Sequence, residues 1–340
     1  MRKVRIAQIG MGHDHAADTF RTLRHLANEF EVIGLAEPDA EYHDRLSWPH
    51  YGGARLNTVE EVLAMQPDAV AIESAEEHAA QYAQMAADRG IAVHLDKPGA
   101  MDCASFNRIA DTLEAQHLPF QLGYMYRYNP AIERAMEAVR SGKLGEVYAV
   151  EAQMNIHHAA SKRQWEEKFP GGMMYFLGCH LIDLIYRIQG EPDEVIPLNR
   201  STGADGVTAD DFGFVLLKYA HGVSLAKTCS QEIGGWARRQ LVICGTKGTI
   251  EILPMEEGRA KPNPAGYGTP QVTRWAETYV SPEEQVWFDG AVRCETPLFD
   301  RYEAMMRAFA RMVRGEAENP YSYEYERKLF RLVMRCCGVE

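Results

Sequence analysis

The sequence has no apolar run long enough to cross a bilayer: its longest stretches, such as residues 173–179, fall far short of the roughly 20 residues a spanning helix needs. The opening Met-Arg-Lys-Val runs straight into a strand pattern, so neither export nor insertion is expected, and a cytoplasmic protein is. No basic block is present either. Lys and Arg number 36 against 48 Asp and Glu, and the net charge of −12 is spread along the chain, which excludes nucleic acid as an expected partner. The seven cysteines form no C-x-x-C and no histidine-interleaved pattern, and an odd count suits reduced thiols. Despite 12 histidines there is no H-E-x-x-H or comparable spacing. The pairs His13/His15 and His157/His158 do not make a ligand set by themselves, so no metal is expected. Internal repeats and low-complexity tracts are absent, which argues against a solenoid or a disordered chain.

What is present is ordinary globular usage, 46% hydrophobic and 25% charged, in a chain of 340 residues that exceeds the usual reach of one core. Two domains are expected, 1–124 and 125–340. In the first, strand-length apolar runs at 4–9, 32–36, 69–72, 92–95 and 120–122 alternate with helical patterns near 16–28, 58–65, 78–89 and 102–117. That rhythm predicts an α/β domain with a doubly wound parallel sheet. After Asn129-Pro130, where proline suits a first helical turn, the rhythm changes. A helix at 131–141 leads into strand-like runs at 147–154, 212–219, 223–228, 241–244 and 249–253. Their short Gly-containing connections predict an α+β domain on an open, largely antiparallel sheet. Helices are expected at 173–188, 299–314 and 323–337, and an exposed loop at 254–270.

Gly10-Met11-Gly12-His13 follows the first strand and opens the first helix, the context in which glycines admit a pyrophosphate and a helix N-terminus stabilises its charge. Gly10 and Gly12 fit the first two positions of G-x-G-x-x-G, but His15 stands at the third, so close helix packing must be achieved differently there. Glu37 ends the second strand, 25 residues after Gly12, where a carboxylate accepts hydrogen bonds from ribose hydroxyls and repels a 2′-phosphate. NAD is therefore expected over NADP. Asp96-Lys97-Pro98 ends the fifth strand, on the carboxyl edge where such sheets bind ligands. Burial and the cationic nicotinamide would both disfavour the Lys97 ammonium and fit it for proton transfer.

Taken in order, Gly10-x-Gly12-His13, Glu37, the 74–78 loop from Ser74 to His78, Asp96-Lys97-Pro98 and Tyr126-Arg127-Tyr128-Asn129-Pro130 resemble the Gfo/Idh/MocA family of oxidoreductases. So do Gly171-Gly172, Gly178-Cys179-His180-Leu181-Ile182-Asp183 and the run from Cys244 to Ile250. The resemblance spans nearly the whole chain and implies a Rossmann domain followed by a domain whose sheet often mediates homodimer or homotetramer formation. It implies a dehydrogenase that moves a hydride between NAD and a secondary alcohol of a sugar, sugar acid or inositol-like polyol. Lys97 would be the general acid/base and His180 the histidine bonded to the reacting oxygen, which requires folding to bring both to one nicotinamide pocket. Cofactor contacts would fall at Gly10, Met11, Gly12, His13, Glu37, Ser74, His78 and Asp96. Arg127, His157, Trp165 and Asp183 would contact substrate, whereas His158 reads as part of an exposed loop. Members that oxidise sugars and inositols usually carry an aspartate four residues before the histidine, and here that position is Phe176. Three readings stay open: Lys97 and His180 suffice, with Asp183 or another acid orienting the imidazole; a tightly held NAD serves transient oxidation for elimination or glycoside cleavage; or the site only binds ligand.

Overall fold

A computed structural model describes residues 2–257, 270–280 and 292–340. They form two compact units, residues 2–125 with 300–330 and residues 126–257, 270–280, 292–299 and 331–340.

The first unit is a parallel sheet of β1 (Val4–Ile9), β2 (Phe30–Ala36), β3 (Leu56–Asn57), β4 (Ala69–Ile72), β5 (Ala92–Leu95) and β6 (Phe120–Leu122). The strand order is β3-β2-β1-β4-β5-β6, so the direction of winding reverses between β1 and β4, the place where open α/β sheets bind ligands. Every residue of β4 and β5 is buried, which is why β4 is continuously apolar rather than alternating and β5 departs from that only at His94. The crossovers are α1 (Ala16–His25), α2 (Val59–Ala64), α3 (Glu76–Ala87) and α4 (Cys103–Ala115). Local chemistry starts two of them: Thr58 and Glu61 close a reciprocal capping box on α2, and Asp102 accepts from Ser105 N–H at the head of α4.

In the second unit Asn129 caps α5 (Pro130–Arg140), its side-chain oxygen accepting from Ala131 and Ile132 N–H while its amide donates to Thr273 and the Met255 carbonyl. The sheet that follows comprises β7 (Val147–Asn155), β8 (Glu194–Pro197), β9 (Phe212–Lys218), β10 (Val223–Cys229), β11 (Gln240–Gly245) and β12 (Gly248–Ile252). After the short β13 (Pro270–Gln271) it is completed by β14 (Arg274–Tyr279) and β15 (Val292–Glu295). Its order is β15-β14-β12-β11-β7-β10-β9-β8, parallel at β7–β10 and antiparallel at every other junction. Buried and partly exposed residues alternate along β9, so one face of the sheet is core. Helices α6 (Ala160–Trp165) and α7 (Cys179–Gln189) belong to this unit. The helix expected over 173–188 is not uniform: residues Met174–Gly178 form a π-helical turn before α7 begins. The wider turn breaks the i, i+4 alignment that a regular helix would impose on Phe176 and His180.

The chain then returns to the first unit with α8 (Glu303–Val313) and the start of α9 (Tyr323–Cys337). Phe309 lies against His94 with ring centres 5.7 Å apart, and Phe330 stacks on Phe106 at 4.3 Å. The final helices therefore complete the core of the first unit, which a boundary at residue 124 does not convey. The loop expected at 254–270 also differs: Met255 and Glu256 are buried, while 258–269 lie outside the described residues.

Phe330→Ala removes a fully buried stacked ring, so it is expected to destabilise the first unit by about 3–5 kcal/mol. A lowered urea or thermal midpoint checks this, and an unchanged midpoint would contradict the packing of α9 there.

Candidate active site

The turn between β1 and α1 is shaped by what its glycines lack. Gly10 has φ +105°, and a Cβ there would stand 2.0 Å from Ser74 N; one on Gly12 would stand 2.6 Å from Ala75 N and 2.8 Å from the Tyr42 ring. The two glycines thus let the turn press against the end of β4. The position of the missing third glycine is held instead by His15, the residue before α1, whose Nδ1 lies 3.0 Å from Asp96 Oδ2 and whose ring meets Tyr302 at 5.6 Å. Met11 is core, packed with Phe20, Leu35 and Tyr51. Glu37 follows β2 and is buried, its carboxylate accepting N–H from Met11 and, at 2.8 Å, from Asp39. Burial raises its pKa, against the pull of those two amides. Arg45 donates to the Met11 and Gly12 carbonyls, with its guanidinium 4.6 Å from the Tyr42 ring centre and 5.2 Å from that of Trp48.

Around Asp96 the structure gathers more charge than the sequence suggests. Oδ1 accepts Lys97 N–H at 2.6 Å, and Oδ2 lies 3.1 Å from His13 Nδ1 as well as 3.0 Å from His15 Nδ1. The His15 amide in turn donates to His13 Nδ1 at 3.1 Å. Glu73, fully buried, places Oε2 3.8 Å from His13 Nδ1 and Oε1 4.0 Å from His94 Nε2, and Glu76 Oε1 is 3.6 Å from His13 Nε2. His94 is oriented by Gln121, 2.9 Å from its Nδ1. Lys97 is 2% exposed, and its charge lowers the pKa values of Glu73, Glu76 and His15.

Burial would raise Asp96, but the two imidazoles hold it well below the usual carboxylate range. Burial first, and then the Asp96 charge, push Glu73 well above that range. The adjacent carboxyls therefore titrate apart, with the proton on Glu73. Burial also brings His15 down to about 4, overriding the pull of Asp96. Among the described residues, His13, His15 and Asp96 bring three potential ligand atoms within 4.8 Å of one another, a convergence of two segments that spacing in sequence does not reveal.

Ser74 is buried beside this cluster, whereas His78 on α3 is half exposed and pairs with Asp39 at 3.0 Å. Glu73 and Glu76, not singled out from sequence, are nearer to Lys97 electrostatically. The available signal was a pair of acids flanking Ser74 at the carboxyl end of a strand buried on both faces.

In the second unit Arg127 and Asp183 form a buried pair, Nε and Nη2 donating to Oδ1 at 3.0 and 2.8 Å. His180, also buried, is met by the Tyr126 ring edge-on at 5.3 Å, and Tyr126 donates its hydroxyl to Glu256 at 2.6 Å. Phe176 is surrounded by aromatic rings: Phe169 is parallel to it at 5.9 Å, Trp165 is edge-on at 5.5 Å and His158 is at 6.4 Å. Lys162 Nζ stands 3.5 Å from the Trp165 ring centre and 4.9 Å from that of Phe176. His157, expected at the substrate, is exposed; its neighbour His158 is the imidazole turned toward Phe176.

A parallel sheet that reverses its winding at a two-glycine turn makes the first unit a Rossmann fold. The profile of the oxidoreductase family with NAD-binding Rossmann fold matches residues 4–124, and that of the GFO/IDH/MocA C-terminal domain matches 132–251. The chain belongs to the Gfo/Idh/MocA family of oxidoreductases. It is similar to bovine (Bos taurus) trans-1,2-dihydrobenzene-1,2-diol dehydrogenase, 25% identical over 234 residues covering 66% of this chain and 67% of that one. It is also similar to D-xylose 1-dehydrogenase (NADP(+)) 2 of Haloferax volcanii, 27% identical with 84% and 82% covered. Among solved structures, the WlbA dehydrogenase of Bordetella pertussis, in complex with NADH and UDP-GlcNAcA, shares the fold with a TM-score of 0.76, 15% identity and 99% and 97% coverage. No helix among the described residues is long and apolar enough to cross a membrane.

A neutral, largely buried His15 makes stability depend on pH with a defined sign. Between about pH 6.5 and 4 the unfolded imidazole binds a proton that the folded one refuses, so its contribution to stability falls as pH falls through that window. Comparing wild type with His15→Asn by urea unfolding from pH 7 to 4 should give a difference that moves against wild type by on the order of 3 kcal/mol. A pH-independent difference would contradict the buried neutral ring.

Proposed function

We propose that the protein is an NAD-dependent dehydrogenase that oxidises or forms a secondary alcohol of a neutral sugar or polyol. The observation that carries this reading is Lys97: a buried amine just after β5, within electrostatic reach of Glu73, Glu76 and His15, on a residue whose backbone N–H donates to Asp96. Lysine in such a setting exchanges a proton with a substrate hydroxyl, and His180 is proposed to hydrogen-bond the reacting oxygen. Arg127 serves by fixing Asp183, and Trp165 offers a ring for the C–H face of a sugar. The relatives named for dihydrodiol and xylose dehydrogenation support the substrate class.

The first unit fits a dinucleotide. Gly10 and Gly12 let the turn at the head of α1 pack directly on the backbone that follows β4, at the switch point of the sheet, with His13 and Ser74 buried beside it. When bound, the nicotinamide accepts or returns the hydride. The Glu37 carboxylate is proposed to take the ribose hydroxyls and disfavour a 2′-phosphate, because Arg45, the nearby cation, is committed to the loop carbonyls and to two rings. His78 and Asp39 would border the same ribose. The cytoplasm is the proposed compartment, in keeping with seven free thiols, and a homodimer or homotetramer the proposed assembly.

One observation favours a second reading, in which NAD is retained and transient oxidation serves elimination or glycoside cleavage. No carboxylate stands at position 176, and both contacting nitrogens of Arg127 converge on Asp183, the residue best placed to substitute for one.

Lys97→Ala is expected to lower turnover at least about a hundredfold while NAD affinity, read by calorimetry, is largely kept. Normal turnover would remove the acid/base role. Glu37→Ser should weaken NAD binding and relax discrimination against NADP; unchanged affinity for both would take Glu37 out of the site. Incubation with sugars and polyols separates the two readings, since NADH accumulates under the first and product forms without it under the second.

A further inference from the structure

Just after β7 the second unit holds a histidine that the proposed reaction does not use. Beyond the end of β7 the pairing with the chain after β10 continues: Ile156 N–H donates to the Cys229 carbonyl at 2.8 Å, His158 N–H to the Ser230 carbonyl at 2.7 Å and Glu232 N–H to the Ile156 carbonyl at 3.1 Å. His157 bridges to Gln231 in the same extension. Successive side chains of such extended backbone point opposite ways, which turns His157 outward and His158 toward Phe176. His158 therefore lies in the connection just after β7, in a segment whose backbone is pinned by these bonds.

Its ring is held as well as its backbone. Glu166, fully buried just after α6, brings Oε1 to 3.4 Å from His158 Nδ1, and its other oxygen accepts the Ser230 hydroxyl at 2.8 Å. One residue, Ser230, thus anchors both partners, its carbonyl the imidazole's backbone and its hydroxyl the carboxylate. Burial raises the Glu166 carboxyl while His158 and Ser230 pull it down. A carboxylate beside Nδ1 selects the tautomer with the proton there, leaving the Nε2 lone pair directed away from Glu166. The charged groups around the ring are Glu166 itself, with Asp211 behind it, and the Lys162 ammonium over Trp165 and Phe176. The His158 side chain keeps 18% of its surface exposed, so a ligand can reach it.

We infer that His158 is a specificity-determining residue of the substrate site, its Nε2 accepting a hydrogen bond from a second hydroxyl of the substrate, with Glu166 as its positioning carboxylate. Within the proposed class, the substrate then uses one hydroxyl for reaction and a second that His158 holds beside the apolar Phe176 wall. The inference rests on the reading that substrate lies against His180 in this unit.

The test follows NAD reduction with myo-inositol, xylitol, D-xylose and D-glucose in the wild-type protein and in His158→Gln, Glu166→Gln and His180→Gln. His158→Gln should raise KM about tenfold or more, as expected when a buried hydrogen-bond partner is lost, with kcat within about threefold and NAD affinity unchanged. Glu166→Gln should give a smaller rise in KM, with kcat and NAD affinity again unchanged, because the imidazole loses the carboxylate that orients it. His180→Gln should lower kcat instead. If His180→Gln is impaired while His158→Gln matches wild type, the inference fails and the substrate reading stands. If both match wild type, the substrate reading fails and takes the inference with it. A test without substrate is the long-range 15N–1H spectrum of the labelled protein: the Nδ1–H tautomer of His158 supports the inference, and the Nε2–H tautomer overturns it.

Discussion

Asp96 is the residue on which the first unit's site depends. A carboxylate this deeply buried persists as an anion only if each oxygen is supplied with donors, and here one oxygen faces a backbone amide and the other the His15 imidazole, with the His13 ring beside it. Its neighbours are chosen around it. Gly123 follows β6 without a side chain because a Cβ there would stand 2.7 Å from Asp96 Oδ1. Glu73 gives up ionisation so that Asp96 can keep it, and His15 stays neutral although it touches a carboxylate. The amine of the following residue is thereby presented from a rigid, polarised support.

Much of this framework was legible in the sequence because the signals were local. Four continuous apolar residues at 69–72, and the short run at 92–95 interrupted only by His94, mark strands covered on both faces, and Asn129-Pro130 marks a helix start that the Asn129 side chain does cap. What escaped depends on tertiary context. Strand β3 is two residues long, and β8, β14 and β15 lie toward the ends of the larger sheet, where pairing rather than pattern defines them. Met255 and Glu256 read as loop but are buried because Asn129, Tyr126 and Arg239 reach for them. The histidine pair at 157–158 shows why faces are hard to assign: a strand's side chains alternate, so an error of one residue in register exchanges inside for outside.

Phe176 acquires its meaning only in three dimensions. Its ring belongs to a cluster with Phe169, Trp165 and His158, built on a π-helical turn whose extra width alters the spacing to His180. At this position the chain presents a hydrocarbon surface bordered by Lys162 and by an imidazole with its own carboxylate. The polar groups of the second unit thus come from several neighbouring segments, with the Arg127–Asp183 pair buried among them.

The return of the chain to the first unit bears on how the molecule can be divided. Phe309 and Phe330 cover His94 and Phe106, and the Asn319 amide donates to the Phe120 carbonyl of β6, so the sheet's partners arrive some 200 residues after the strands they shield. A fragment ending near residue 125 would carry the complete glycine turn and the lysine yet leave aromatic surface bare, inviting aggregation. Excising a nucleotide-binding module from this protein requires grafting the distal helices back on, and a ribosome must finish nearly the entire polypeptide before that module can close.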